Sequence, residues 1–353
     1  MTALNSELII DGNVLRANIT YIKNKLENKS KFMAVIKSDA YGHNLEDVVK
    51  DIDDLADGYG VVRIDEAKKI RSLSDKKILL MQGIYSNDEF LEAKKLNLDM
   101  VVHNQDQFQI IKKNNIYDDL WIKINTGMNR LGFEISDFME IYNDHLINTK
   151  FTLMTHLAAS NDRECISNKN QFKLFHDLSN KMHKDVVKSI ANTGCIMNFP
   201  DQMHDWVRCG IGIYGGYFRD KNIKTAMTLR SPIVNLRKIK KNEGVGYDGR
   251  AVAQKDMLIA TVYIGYADGL PAMIKDGTPV KINNEKASVF GKVSMDVTTL
   301  DVTDINNCST GDWCEFFSED LPISQIAKSN DLISYYLMTG VKSRVKKVYK
   351  RAD

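Results

Sequence analysis

The sequence predicts an α/β protein in two parts: an N-terminal (β/α)8 barrel of TIM type over residues 1–229, and a C-terminal, mostly antiparallel β domain over 230–353. Three observations lead there. Eight short apolar runs alternate with helix signals as far as about residue 213, close to the count and length of a parallel barrel. Those runs are near-continuously apolar, as strands covered on both faces should be. From Thr228 the texture changes to runs rich in Val, Ile, Thr and Tyr separated by turn pairs, which is the pattern of antiparallel hairpins. A chain of 353 residues is long for one domain and comfortable for two.

An amphipathic segment over 11–27 opens the chain. Strands are then expected at 31–37, 59–63, 77–82, 98–102, 119–125, 150–156 and 186–191, with a less regular eighth at 206–213. Asn44 stands as the cap of an acid-headed helix beginning at 45. Ser86-Asn87-Asp88-Glu89 spells a capping box. Ile64-Asp65-Glu66-Ala67, Asn104-Gln105-Asp106-Gln107, Ser136-Asp137-Phe138-Met139 and the stretch 168–182 carry the remaining helix signals. Ser231-Pro232 puts the boundary between the two parts at 228–232. Beyond it, Asp248-Gly249, Asp268-Gly269, Asp276-Gly277 and Asn283-Asn284 mark turns. Helical patterns at 323–327 and 331–338 precede a basic last strand.

Composition narrows the function by exclusion. A net charge of +2, from 48 basic and 46 acidic residues, gives no electrostatic case for nucleic acid or membrane as a partner. The five cysteines are scattered and contain no Cys-x-x-Cys pair, so neither a disulfide framework nor a zinc site is expected. None of the seven histidines forms a His-x-x-x-His pair, so no metal centre is expected. No apolar run reaches membrane-spanning length and the start lacks a secretory pattern; a reducing cytosol is the expected compartment.

The chemistry concentrates at strand ends. Phe32-Met33-Ala34-Val35-Ile36 runs straight into Lys37, so an ammonium stands at the carboxyl end of a buried strand. Desolvation there lowers the amine's pKa and makes it available for a Schiff base; a lone lysine in that place more often snorkels to solvent. In a parallel barrel the carboxyl ends converge on one mouth. Asn125-Thr126-Gly127-Met128-Asn129-Arg130-Leu131-Gly132, His156 and Ala191-Asn192-Thr193-Gly194 all follow or end such runs. Taken singly, Arg130 reads as a surface arginine and His156 as a core histidine.

The phrases around these residues resemble one family. Ala34-Val35-Ile36-Lys37-Ser38-Asp39-Ala40-Tyr41-Gly42-His43 is similar to the pyridoxal-phosphate lysine motif of alanine racemases, with Asn44 in place of its last glycine. Gly-Met-Asn-Arg-Leu-Gly at 127–132, Thr-His-Leu-Ala at 155–158 and Ala-Asn-Thr at 191–193 look like the same family. So does 206–215, although Cys209 stands where the family often has proline. Ile264-Gly265-Tyr266-Ala267-Asp268-Gly269 resembles its tyrosine motif, and Gly291-Lys292-Val293-Ser294-Met295-Asp296 its G-R-x-x-M-D.

The resemblance implies a pyridoxal 5'-phosphate enzyme that interconverts L- and D-alanine and supplies D-alanine for peptidoglycan. It implies a homodimer with shared active sites. Lys37 would carry the cofactor and act on the D-side face; Tyr266 of the partner subunit would act on the L-side face. His156 would hydrogen-bond toward that tyrosine and Arg208, easing ionisation of a phenol whose ordinary pKa is near ~10. Arg208 would meet the ring nitrogen. Tyr41, Asn192, Thr193, Gly210 and Ile211 would complete the cofactor site, Arg130 and Met295 would lie near the substrate carboxylate, and Lys123 matches a lysine carbamylated in some members. Two departures weaken the match: Ser343 replaces a second phosphate-binding tyrosine, and Asn161 and Asp162 occupy the region of an aspartate that often follows the histidine phrase. A serine or broader-specificity racemase and a non-catalytic cofactor-binding protein of the same barrel type remain the rival readings.

Overall fold

A computed structural model describes residues 5–352, except 116 and 119. The expected strand over 119–125 therefore starts on a residue outside those described. Two compact units divide the chain. One takes Ile19–Ala40 and Asn44–Ile213; the other takes the residues up to Asn18, Tyr41–His43 and everything from Tyr214 on.

The first strand, β1 (Glu7–Asp11), lies within the second of these units and was not foreseen from the sequence. The other unit is the barrel. Its strands are β2 (Lys31–Val35), β3 (Gly58–Val61), β4 (Lys77–Leu80), β5 (Asp99–Val102), β6 (Leu120–Lys123), β7 (Thr152–Met154), β8 (Val187–Ser189) and β9 (Trp206–Cys209). They pair in the order β8-β7-β6-β5-β4-β3-β2-β9, all parallel. A parallel bridge between Asn192 and Arg208 joins the two outer strands just past β8.

Met33, Leu79, Val101, Trp121, Met154 and Trp206 form one buried cluster, with Met81 and Val187 against it. The Trp121 and Trp206 rings lie 5.9 Å apart, and Trp121 Nε1 donates to Asp99 at 2.7 Å, a carboxylate also reached by Lys77 at 2.6 Å. Side chains alternate along a strand, so a position two residues beyond an inward one also points inward. Two beyond Trp121 stands Lys123, two beyond Met154 stands His156, and two beyond Trp206 stands Arg208; Ser189 follows Val187 in the same way. The alternation thus turns an apolar base into a basic mouth.

Two helix starts match their capping signals. Ser86 Oγ accepts from Glu89 N at 3.1 Å and Asn104 Oδ1 accepts from Gln107 N at 2.9 Å. Asn44 does not cap. Its backbone has φ 69°, its amide donates to Asp47 at 2.6 Å, and Asp39 Oδ1 instead accepts from Leu45 N at 2.8 Å.

In the second unit, β10 (Met227–Ile239) pairs antiparallel with β1 and with strands 257–262 and 313–317. Strands 298–301, 285–289 and 279–282 complete a closed antiparallel ring, and the last strand, 346–350, lies parallel to β1. Glu7 holds β1 in place through Arg230 at 2.7 Å. Ser231-Pro232 falls inside β10, where Pro232 faces Trp313 just before an irregular step in register at 233–235. Asn283 and Asn284, with φ 48° and 66°, make the two-residue hairpin between 279–282 and 285–289. No helix among the described residues is long and apolar enough to cross a membrane.

Candidate active site

Lys37 leaves β2 into a turn of unusual hand. Ser38, Asp39, Ala40 and Tyr41 all have φ between 51° and 55°, a run of L-residues in the left-handed region. Each such residue costs roughly 1–2 kcal/mol, so a run survives only where neighbours hold it. Ala40 N donates to Ile36 O at 2.9 Å. Glu66 Oε1 accepts from Ser38 N at 2.6 Å and from Asp39 N at 3.3 Å. The Lys37 amine is pushed below the ordinary lysine range by burial first, then by Arg130, with Glu66 opposing.

Four cationic side chains belong to this mouth: Lys37, Lys123, Arg130 and Arg208. None of them forms an ion pair among the described residues. Burial, then Arg208, Arg130 and Lys37, push Lys123 down to about 8. Arg208 is fully enclosed; Nη1 donates to Ser189 Oγ at 2.5 Å and Nη2 to Thr155 O at 2.6 Å. Its Nε is buried without a hydrogen-bond partner. A donor held in that way is set for an acceptor brought by a ligand. His156 Nδ1 lies 3.4 Å from Arg208 Nη2, and desolvation followed by Arg208 pushes the imidazole down to about 3. The ring is neutral at ordinary pH, and because a guanidinium can only donate, Nδ1 accepts and Nε2 carries the proton.

The loop 125–132 is knitted by Asn125, whose Oδ1 accepts from Gly127 N at 3.1 Å and Asn129 N at 3.0 Å. Arg130 is left exposed at its tip. Beneath it, Gln171 Nε2 donates to Thr126 Oγ1 at 3.1 Å and His156 O at 3.0 Å, and Thr126 meets Thr155 at 2.8 Å. Asn192 caps the helix Thr193–Asn198 by accepting from Cys195 N at 3.0 Å, and also accepts from Ser160 Oγ at 2.7 Å. Thr193 Oγ1 accepts from Gly212 N at 3.4 Å, across the turn that contains Gly210 and Ile211. A Cβ on Gly212 would come within 2.8 Å of Thr193 Cγ2, so this close approach requires glycine. Cys209, where the family often has proline, is buried against Thr193 at 3.4 Å; burial holds its thiol up to about 11, so it stays protonated.

The remaining residues singled out in the sequence lie in the other unit. Tyr41 is buried and stacks on Tyr214 at 4.7 Å. Tyr266 and Met295 are exposed and adjacent: Tyr266 N donates to Ser294 O at 3.0 Å and Ala267 N to Met295 O at 3.0 Å. A Cβ on Gly265 would meet Met295 O at 2.3 Å, which is why the motif needs glycine before the tyrosine. Arg344 pins both segments, reaching Asp296 at 2.7 Å and Asp268 at 3.3 Å.

Sequence reasoning brought Lys37, Arg130 and His156 to one mouth, and Lys123 and Arg208, named from the resemblance, act electrostatically on the same group of residues. It missed Ser189, Gln171, Glu66 and Arg344. Ser189 was accessible from the alternation after Val187; the others act through partners far away in the chain. The donor set suits an anionic, ring-bearing ligand: a depressed amine to bond it, the Thr193 hydroxyl, and a buried guanidinium N–H still lacking an acceptor.

Two family models match the chain: "Alanine racemase, N-terminal domain" over residues 10–218 and "Alanine racemase, C-terminal domain" over 226–349. An alanine racemase of Alteromonas mediterranea is 36% identical over 331 residues, covering 91% of this chain and 92% of the relative. One from Coxiella burnetii is 35% identical over 354 residues, covering 95% and 96%. The solved biosynthetic alanine racemase of Pseudomonas aeruginosa superposes with a TM-score of 0.93 at 29% identity, over 99% of this chain and 100% of that one. The Bartonella henselae enzyme, solved with covalently bound pyridoxal phosphate, shares the fold at a TM-score of 0.89 and 24% identity, over 99% and 100%.

Proposed function

Because the chain belongs to the alanine racemase family, we propose that Lys37 and Tyr266 are the two acid/base groups with which it interconverts L- and D-alanine. The product D-alanine serves cell-wall peptidoglycan. Pyridoxal phosphate, when bound, supplies the electron sink that makes the α-proton of an amino acid removable. The residues supply everything else. Lys37, its amine depressed by burial, would hold the cofactor and would take and return a proton on the D-side face. Tyr266 of a second copy would do so on the L-side face, and the neutral His156, whose Nδ1 already accepts from Arg208, would donate its Nε2 N–H toward the phenol oxygen and so ease its ionisation. Arg208 would keep its own proton and could give a ring nitrogen no more than the N–H of its Nε, which has no partner of its own.

Asn192, Thr193, Gly210 and Ile211 would serve the phosphate end, to which the family resemblance adds Tyr41, and Arg130 and the second copy's Met295 would serve the substrate carboxylate. Lys123, enclosed among cations and depressed to about 8, is the amine placed to add to carbon dioxide, losing one proton to solvent as the carbamate forms. The carbamate's negative charge would steady Arg130. Mass measurement of an unmodified Lys123 in carbon-dioxide-rich buffer would remove that role.

The single observation that carries the reading is the buried Arg208 guanidinium, fixed by Ser189 and Thr155 with Nε free, in the same mouth as a depressed Lys37. The test is direct. Purified protein should be yellow, borohydride should fix the chromophore to Lys37, and L-alanine should yield D-alanine in an enantiomer-specific assay. A chain that stays colourless with added cofactor contradicts the proposal.

A further inference from the structure

We propose that Glu66 is the positioning residue of Lys37, clamping the left-handed turn that follows the amine. The inference rests on the reading of Lys37 as the cofactor-bearing lysine and adds to it a residue that touches neither cofactor nor substrate. Glu66 stands at the third position of the helix Ile64–Arg71. One of its oxygens does what such a glutamate ordinarily does: Oε2 reaches back to Arg63 N and Val62 N, both at 3.3 Å. A helix cap needs no more than that. The other oxygen crosses to the neighbouring βα loop and takes Ser38 N at 2.6 Å and Asp39 N at 3.3 Å, the first two amides of the left-handed run. One carboxylate therefore fixes the start of a helix and the residues directly after Lys37 in a single geometry. Among the described residues it is also the anion that acts on the Lys37 amine, favouring the ammonium against burial and Arg130.

The experiment compares the cofactor-free parent chain with Glu66→Gln and with Ser86→Ala, which removes an ordinary cap one βα unit along. A glutamine can present its single carbonyl oxygen to only one of the two amide pairs. Amide hydrogen exchange at Ser38 and Asp39 should accelerate about 10- to 100-fold in Glu66→Gln and stay at the parental rate in Ser86→Ala. Attachment of added pyridoxal phosphate to Lys37, trapped with borohydride across a pH series, should shift its midpoint to lower pH in Glu66→Gln alone, because the anion that favoured the ammonium is gone. If faster exchange is confined to Val62 and Arg63 and the midpoint does not move, Glu66 is only a helix cap and the inference is overturned. Should Glu66→Gln fail to fold, the same two measurements on Glu66→Asp decide, since that side chain is one methylene too short to span both pairs. If the parent itself never fixes cofactor at Lys37, the functional reading fails, and the exchange rates still judge the clamp.

Discussion

At the scale of single residues, a barrel mouth whose four cations form no ion pair among the described residues makes two of its amines less basic than a lysine in water. Lys123 carries this furthest. Its folded pKa of about 8 lies below the value near ~10.4 of an unfolded lysine, so between these limits the unfolded chain binds the extra proton. Stability must then rise as pH is raised from 8 toward 10, and the penalty is complete below 8. In carbon-dioxide-free buffer, denaturant titrations should show that rise in the parent chain and a smaller one in Lys123→Met, with Lys37 supplying the remainder; equal slopes would refute the assignment. Tyr266→Phe tests the other face. It should keep the chromophore and solvent exchange of the D-alanine α-proton while losing most exchange from L-alanine, and equal loss from both would count against separate faces. The residues proposed for the chemistry could be named from the sequence because their phrases are long and specific. Ser189, Gln171 and Glu66 were not, since a lone polar residue whose partner is distant leaves no local mark.

Elements were legible where the signal is local. The eight barrel strands, the Ser86 and Asn104 caps and the Asn283-Asn284 hairpin all follow from period, capping chemistry or turn preference within a few residues. β1 was not, because its five residues make a strand only through β10 and the strand 346–350. Asn44 failed as a cap for a related reason: the left-handed turn before it brings Asp39 to the amide of Leu45 first. The loop that carries Arg130 offers a prediction at this scale. Gly132 has φ 131°, and a Cβ there would lie 2.5 Å from Asn125 N and 2.6 Å from the Ile124 carbonyl carbon. Gly132→Ala should cost about 1–3 kcal/mol of stability and raise KM for alanine more than it lowers kcat, as Arg130 loses its placement. Thermal unfolding with steady-state kinetics checks both; an unchanged KM would separate the loop from substrate binding.

For the whole molecule, the question is which copy supplies which group. Tyr266 and Met295 lie exposed together on one unit, pinned by Arg344 through Asp268 and Asp296, whereas Lys37, Arg130, His156 and Arg208 belong to the other. In the proposed two-fold dimer each mouth would receive the tyrosine of its neighbour, and two separately inactive chains would repair one another. Lys37→Ala and Tyr266→Phe chains, refolded together in equal amounts, should recover about a quarter of parental racemase activity, since half the dimers are mixed and each mixed dimer has one intact site. Activity no higher than that of the two variants kept apart would contradict the shared site.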